Sequence, residues 1–288
     1  MDMAKEIYVK KANGTFEPFD ESKIFKTLVR SGASEALATS VIKQVKEKIY
    51  DGIPTKEILN IVFSLLQSQP HIAARYSLKS AIMSLGPAGY TFENFFAEIL
   101  NEYGYKTRVR QIVAGACVNH EIDIIAEEYV KTKAVERPLP IRYMVELKYH
   151  NITGIYTGLK ETLYTYARFL DLCDGWKAGK CERFDQPWLI CNTKFSQDAI
   201  QYAMCKNMKL LGWRYPSGYG LEIMIEKRKL YPITVLPLDS ETLEKFSNAR
   251  MMLLKDLFKY KPDELSERTG IEKRKINELI SIANKIMI

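Results

Sequence analysis

Hydrophobic residues change their spacing twice along this chain, and that change constrains the fold more than any other feature. Up to about residue 85 they recur at helical intervals: Ile24, Phe25 and Leu28; then Leu37, Val41, Ile42, Val45 and Ile49 behind Ser34; then Ile58, Leu59, Val62, Phe63 and Leu66 behind Thr55; then Ile72 to Met83. Between Tyr105 and Lys148 the runs are extended, over 105–113, 122–126 and 143–148. Helical spacing returns over 155–172 and 197–206, with a strand from Trp188 to Cys191 between them, and again beyond residue 239. A chain of 288 residues with such switches divides into two or three domains. Ile7 to Lys10 and the Asn13-Gly14 turn predict a hairpin at the start, and Gly86-Pro87 is a natural boundary. The expected division is a mostly helical domain with a small N-terminal hairpin over 1–88, an α/β domain with a mixed sheet over 89–238, and a small helical domain over 239–288. The last is broken at Lys261-Pro262 and turned at Thr269-Gly270-Ile271. The fold class is multi-domain α/β.

Composition narrows the chemistry. No apolar run approaches the roughly 18 residues of a membrane helix, and Met-Asp-Met-Ala-Lys-Glu lacks the pattern of a secretory signal, so a cytoplasmic protein is expected. Five cysteines without a CxxC pair fit reduced thiols rather than a disulfide framework or a zinc site. With three histidines in the whole chain, carboxylates and lysines become the natural reactive groups. A formal charge of +7 suits a polyanionic partner but does not require one.

The strongest constellation is Glu121-Ile-Asp123 followed by Tyr143-Met-Val-Glu146-Leu-Lys148. Side chains alternate along a strand, so Glu146 and Lys148 share a face about 7 Å apart, while Val145 and Leu147 point the other way. If the two strands are neighbours, Asp123 and Glu146 can converge on a hard divalent cation, and a lysine ammonium beside it can orient water or offset charge on a phosphate. The alternative is an amphipathic strand with a solvent-facing Glu–Lys pair.

This pattern resembles the PD-(D/E)xK nuclease superfamily, and within it the Mrr-like restriction endonucleases. Phe92-Glu93 in the opening helix, Gly104-Tyr105 after it, Asp123, and Glu146-Leu-Lys148 follow the family's order. Asn192 to Ser196 followed by Ala199 resembles its late strand-to-helix segment, so the likeness spans most of 90–215. The resemblance implies Asp123 and Glu146 as ligands of Mg²⁺ or Mn²⁺, Lys148 as the catalytic lysine and Glu93 as a further candidate. A charge at the edge of an apolar helix face explains Glu93 equally well. Glu-Ile stands before Asp123 where the superfamily's name has proline. His120 and Glu121 are neighbours without an assigned role.

The N-terminal block resembles an ATP-cone, through Val9-Lys10-Lys11, Gly14, Glu17-Pro-Phe19-Asp20, Lys23-Ile24, Thr55-Lys-Glu-Ile58 and Ala74-Arg75-Tyr76. The resemblance implies Lys10, Lys11, Lys23 and Thr55 around the triphosphate of ATP or dATP, an allosteric ligand rather than fuel, since no P-loop is present. Read alone, Lys23 is a solvated helix residue and Thr55 an N-cap. The tail from Asp263 to Ile276 resembles a helix-hairpin-helix unit, with Gly270 at the turn and Lys273, Arg274 and Lys275 as DNA-phosphate contacts. An interaction or dimerisation bundle is the alternative. Together these imply a Mg²⁺-dependent DNA endonuclease regulated by adenine nucleotide, with a homo-oligomer as the default by analogy and no membrane partner. The rivals are a non-catalytic nucleotide-sensing DNA-binding protein and a regulatory subunit.

Overall fold

The computed structural model describes residues 6–11, 14–85, 90–129, 140–152 and 154–287. β1 (Tyr8–Lys10) and β2 (Phe16–Pro18) form the expected antiparallel hairpin, and β3 (Ile53–Pro54) adds to β1 in parallel. Gly14, at φ 86°, lies between the hairpin strands in a conformation open to glycine, whereas Asn13 falls outside the described residues. Around this sheet stand α1 (Glu21–Arg30), α2 (Glu35–Lys48), α3 (Thr55–Leu65) and α4 (Pro70–Met83). Asp20 caps α1 by accepting from Ser22 N at 2.9 Å, and Ser34 caps α2 by accepting from Leu37 N at 3.2 Å. Val9, Leu28, Val41, Val45, Ile53 and Val62 fill the space between them as one apolar core.

The second region opens with α5 (Tyr90–Glu102), then β4 (Lys106–Ala114), β5 (Asn119–Glu128), β6 (Ile141–Lys148) and β7 (Tyr156–Thr157). α6 (Leu159–Lys177), β8 (Gln186–Cys191), β9 (Lys194–Phe195), α7 (Gln197–Cys205), β10 (Lys209–Leu211) and α8 (Leu221–Arg228) follow. The helix expected from residue 155 begins at Leu159, because Tyr156 and Thr157 pair in parallel with β9. Five strands form a mixed sheet in the order β10-β8-β6-β5-β4, antiparallel among β4, β5 and β6 and parallel from β6 through β8 to β10. One face meets α6 through Ile122, Ile125, Met144 and Leu172. The other presents Ile124, Val145, Leu147 and Ile190 to a larger core containing Phe95, Phe96 and Leu100 of α5.

That larger core continues into the C-terminal helices α9 (Ser240–Asn248), α10 (Pro262–Thr269) and α11 (Lys273–Met287). Phe246, Leu257, Leu279 and Ile286 belong to it, so apolar packing runs unbroken across residue 239. α4 has a double role. Ile72 and Ala73 pack in the N-terminal core, while Ala74, Leu78, Ala81 and Ile82 lie at helical spacing in the larger one. Gly86 and Pro87, the expected first boundary, lie outside the described residues, as does Pro138. All five cysteines are free thiols, and among the described residues no helix is long and apolar enough to cross a membrane.

Candidate functional site

Asp123 and Glu146 meet where the β5–β6 ladder gives out. The paired residues run from Glu128↔Ile141 to Ile124↔Val145, and the same register places Glu146 opposite Asp123. There the Leu147 N–H donates to Asp123 Oδ2 at 2.7 Å, a side chain taking the role of a backbone acceptor. Alternation slips at this point: Ile122 and Ile125 both pack on the α6 side, whereas Ile124 packs in the opposite core. On β4, Arg110 falls opposite Asp123 in the register and has φ 51°, unusual for a side chain of its size inside a strand. Burial, then the nearby Glu146 carboxylate, push the Asp123 carboxyl up to about 7, and Glu93 adds to the effect.

Glu146 is buried and fully engaged. Its Oε1 accepts from Lys148 Nζ at 2.7 Å, which shows that the two side chains share a strand face, and its Oε2 accepts from Arg168 Nη1. Arg168 also donates to the Glu121 carbonyl, so it ties α6 to both strands of the centre. The rings and cations continue outward: exposed Tyr164 lies 5.5 Å from Lys148 Nζ and 5.3 Å from the Arg168 guanidinium. Glu93 is oriented by an ion pair to Arg110. Sequence reasoning missed Arg168 and Arg110. The signal for Arg168 was present, since it occupies the buried stripe of α6 with Thr165, Leu172 and Gly175, where a lone arginine needs a carboxylate. His120 turns away to Asp171, which it meets at 2.8 Å and whose carboxyl it holds well below the usual range.

Two carboxylates with a neutralising lysine suit a hard cation that keeps much of its water, as Mg²⁺ does. The uncompensated burial at Asp123 also favours a positive guest. Among the described residues, however, no group of three or more His, Cys, Asp or Glu side chains is placed to hold a metal ion, and both Glu146 oxygens already carry cationic partners.

The nucleotide candidates divide. Lys11, Lys23 and Thr55 line a cavity of about 750 Å³, but Lys10, at the exposed end of β1, does not. Alternation explains this: Val9 points into the domain and Lys10 away from it. Glu17 gathers the other two lysines, with Lys11 Nζ at 3.0 Å and Lys23 Nζ at 3.5 Å. Thr55 is the first residue of α3 behind an N-cap at Pro54 and makes no cap itself, which removes the N-cap explanation for it and leaves it facing the cavity. Lys56 and Lys79 also line the space, as do Asn151 and Ile152 from beyond β6; sequence reasoning named none of them.

In the tail, Gly270 closes α10 at φ 65°, a left-handed cap that glycine adopts without steric cost. The three basic residues after it are locally paired: Lys273 with Asp263 at 2.5 Å, Arg274 with Glu278 at 3.2 Å and Lys275 with Asp239 at 2.6 Å.

Residues 7–82 match the ATP cone domain, and residues 231–287 match the family described as AF1548-like, C-terminal. An uncharacterized protein of Archaeoglobus fulgidus is 41% identical over 191 residues, which cover 66% of this chain and 99% of that protein. A crystal structure titled as that of a protein of unknown function, AF1548, superposes with a TM-score of 0.57 at 40% identity, covering 69% of this chain and 97% of that one. The chain belongs to the AF1548-like family and carries an ATP cone domain at its N-terminus.

Proposed function

We propose that this protein is a metal-dependent nuclease of the PD-(D/E)xK type, related to the Mrr-like enzymes, that hydrolyses DNA phosphodiesters under the control of ATP or dATP. The observation that carries the reading is the meeting of Asp123 and Glu146 at the open end of the β5–β6 ladder, with Lys148 on Glu146. The order α5, β4, β5, β6, α6, β8 supports it, since it puts Glu93, Asp123 and Glu146-Leu-Lys148 in the sequence that family uses. Asp123 and Glu146 would hold the cation, which when bound acts as a Lewis acid and lowers the pKa of a water. Arg168 and Lys148 keep Glu146 in place, and Lys148 sets a positive charge where a phosphate gains negative charge. Glu93, held by Arg110, completes the acidic side.

The full engagement of Glu146 by two cations favours a second reading, a nucleotide-sensing protein that holds DNA without cutting it. Cleavage of several DNA forms with Mg²⁺ or Mn²⁺, with and without ATP, separates the two. Asp123→Ala, Glu146→Ala and Lys148→Ala are each expected to lower cleavage by about 10² to 10³ while DNA binding persists. Wild-type protein that never cuts under these conditions transfers the conclusion to the binding reading.

A further inference from the structure

The cavity beside the N-terminal sheet is not enclosed by one domain. Most of its lining, from Val9 to Ser80, belongs to the ATP cone, whereas Met83 and Ser84 at the end of α4, together with Asn151 and Ile152, lie beyond it. Asn151 follows Lys148 by three residues. The lining carries four lysines, at 11, 23, 56 and 79; Glu17 pairs with Lys11 and Lys23, and Asp20 caps α1, so Lys56 and Lys79 are the two without an ion pair among the described residues. That balance selects a polyanion, and about 750 Å³ lies within the roughly 300–1,000 Å³ of ligand pockets.

Lys79 is distinctive within this set. It is half-buried, makes no ion pair among the described residues and reaches toward the second region, with its Nζ 5.9 Å from the Trp213 ring. Burial, and then the charges of Lys194 and Arg214, push its ammonium down, so an anion placed beside it would relieve an unfavourable charge.

The same stretch of α4 is wired to the candidate catalytic strand. Tyr149 Oη, one residue past Lys148, donates to the carbonyl of Met83, which lines the cavity. On the other side of Lys79, Trp213 N donates to the Thr193 carbonyl at 2.7 Å. The adjacent Asn192 side chain clasps His150, accepting from its N–H at 2.9 Å and donating to its carbonyl at 2.7 Å. Lys148 itself pairs with Cys191 in the β6–β8 register.

We propose that a nucleoside polyphosphate binds across both domains, its phosphates held by Lys79, and that occupancy is read directly by the 149–152 segment. The proposal rests on nucleotide binding by the ATP cone and is independent of whether Lys148 serves cleavage. A ligand shifts an equilibrium only through contacts that differ between two arrangements, and here the differing contacts are those of Asn151, Ile152 and the Tyr149–Met83 bond. Tyr149→Phe separates binding from reading, because it removes the hydroxyl while retaining the ring that packs 4.9 Å from Phe92.

Calorimetry with ATP and the full chain comes first. Lys79→Met is expected to weaken ATP binding about tenfold or more and Lys79→Arg to hold it within about threefold, with thermal melts confirming that both variants fold. Hydrogen exchange of peptides spanning 143–152 is then expected to slow when wild type is saturated with ATP. In Tyr149→Phe, ATP should bind as in wild type while that slowing is largely lost. Wild-type affinity in Lys79→Met, or exchange over 143–152 that ignores saturating ATP, overturns the proposal while leaving nucleotide binding by the cone intact. Failure of wild type to bind ATP at millimolar concentration overturns the proposal together with the nucleotide reading beneath it.

Discussion

Asp123 carries its charge at a cost. Its carboxyl is lifted to about 7 because it is buried near Glu146, so the folded state binds its proton more tightly than the unfolded state does. Stability from this group therefore declines as pH rises from about 4 and levels off above about 7. Asp123→Asn keeps an oxygen acceptor for Leu147 N–H and removes the charge. It should match wild type in denaturant melts at pH 4 and exceed it at pH 8, by on the order of a few kcal/mol. Equal gains at both pH values would mean that the carboxylate is not the strained group. Arg168 poses the opposite problem, since it sits buried against Glu146 and losing it leaves an under-compensated carboxylate. Arg168→Met should cost on the order of 2–4 kcal/mol in urea unfolding, less than a fully orphaned pair because Lys148 remains; a loss below about 1 kcal/mol would show that Lys148 alone suffices. Glu146 and Lys148 were legible in the sequence because two residues along a strand share a face. Arg168 was not, because its partner lies 22 residues away and only the packing of α6 on the sheet brings them together.

At the scale of elements, α10 and α11 form the turn that Gly270 predicts, yet Lys273, Arg274 and Lys275, expected from the sequence as DNA contacts, have carboxylate partners of their own. DNA phosphates would have to displace Asp263, Glu278 and Asp239. Exchanging Lys273, Arg274 and Lys275 together for Ala tests whether they do: the slope of log affinity against log salt should flatten by roughly one for each phosphate that is no longer neutralised. An unchanged slope assigns these helices to packing alone. α4 shows what element-level reading leaves out. Its residues, Ile72 to Met83, predicted one helix, and the structure divides that helix's apolar residues between two cores.

For the whole molecule, the unbroken core is the decisive feature. Phe246, Leu257, Leu279 and Ile286 share it with α5 and one face of the sheet. Deleting residues 239–288 would strip that surface, and burial of each large apolar side chain is worth about 1.5–3 kcal/mol. The truncated protein should lose its cooperative thermal transition rather than retain a folded remainder. A sharp transition with native near-ultraviolet dichroism in the truncation would show that the C-terminal helices are dispensable.

By itself, the amino-acid sequence determined the local periods, the cap at Ser34, the turn at Gly270, and the pairing of Glu146 with Lys148, for each depends on residues within a few positions of one another. Only the tertiary structure decided that Arg168 closes over Glu146, that Asp123 stands opposite it, that Lys79 lines the cavity while Lys10 does not, and that α4 belongs to two cores. Those outcomes depend on which faces meet across long stretches of chain. Local spacing limits which faces exist, but the choice of partner for each is made by the packing of all of them at once.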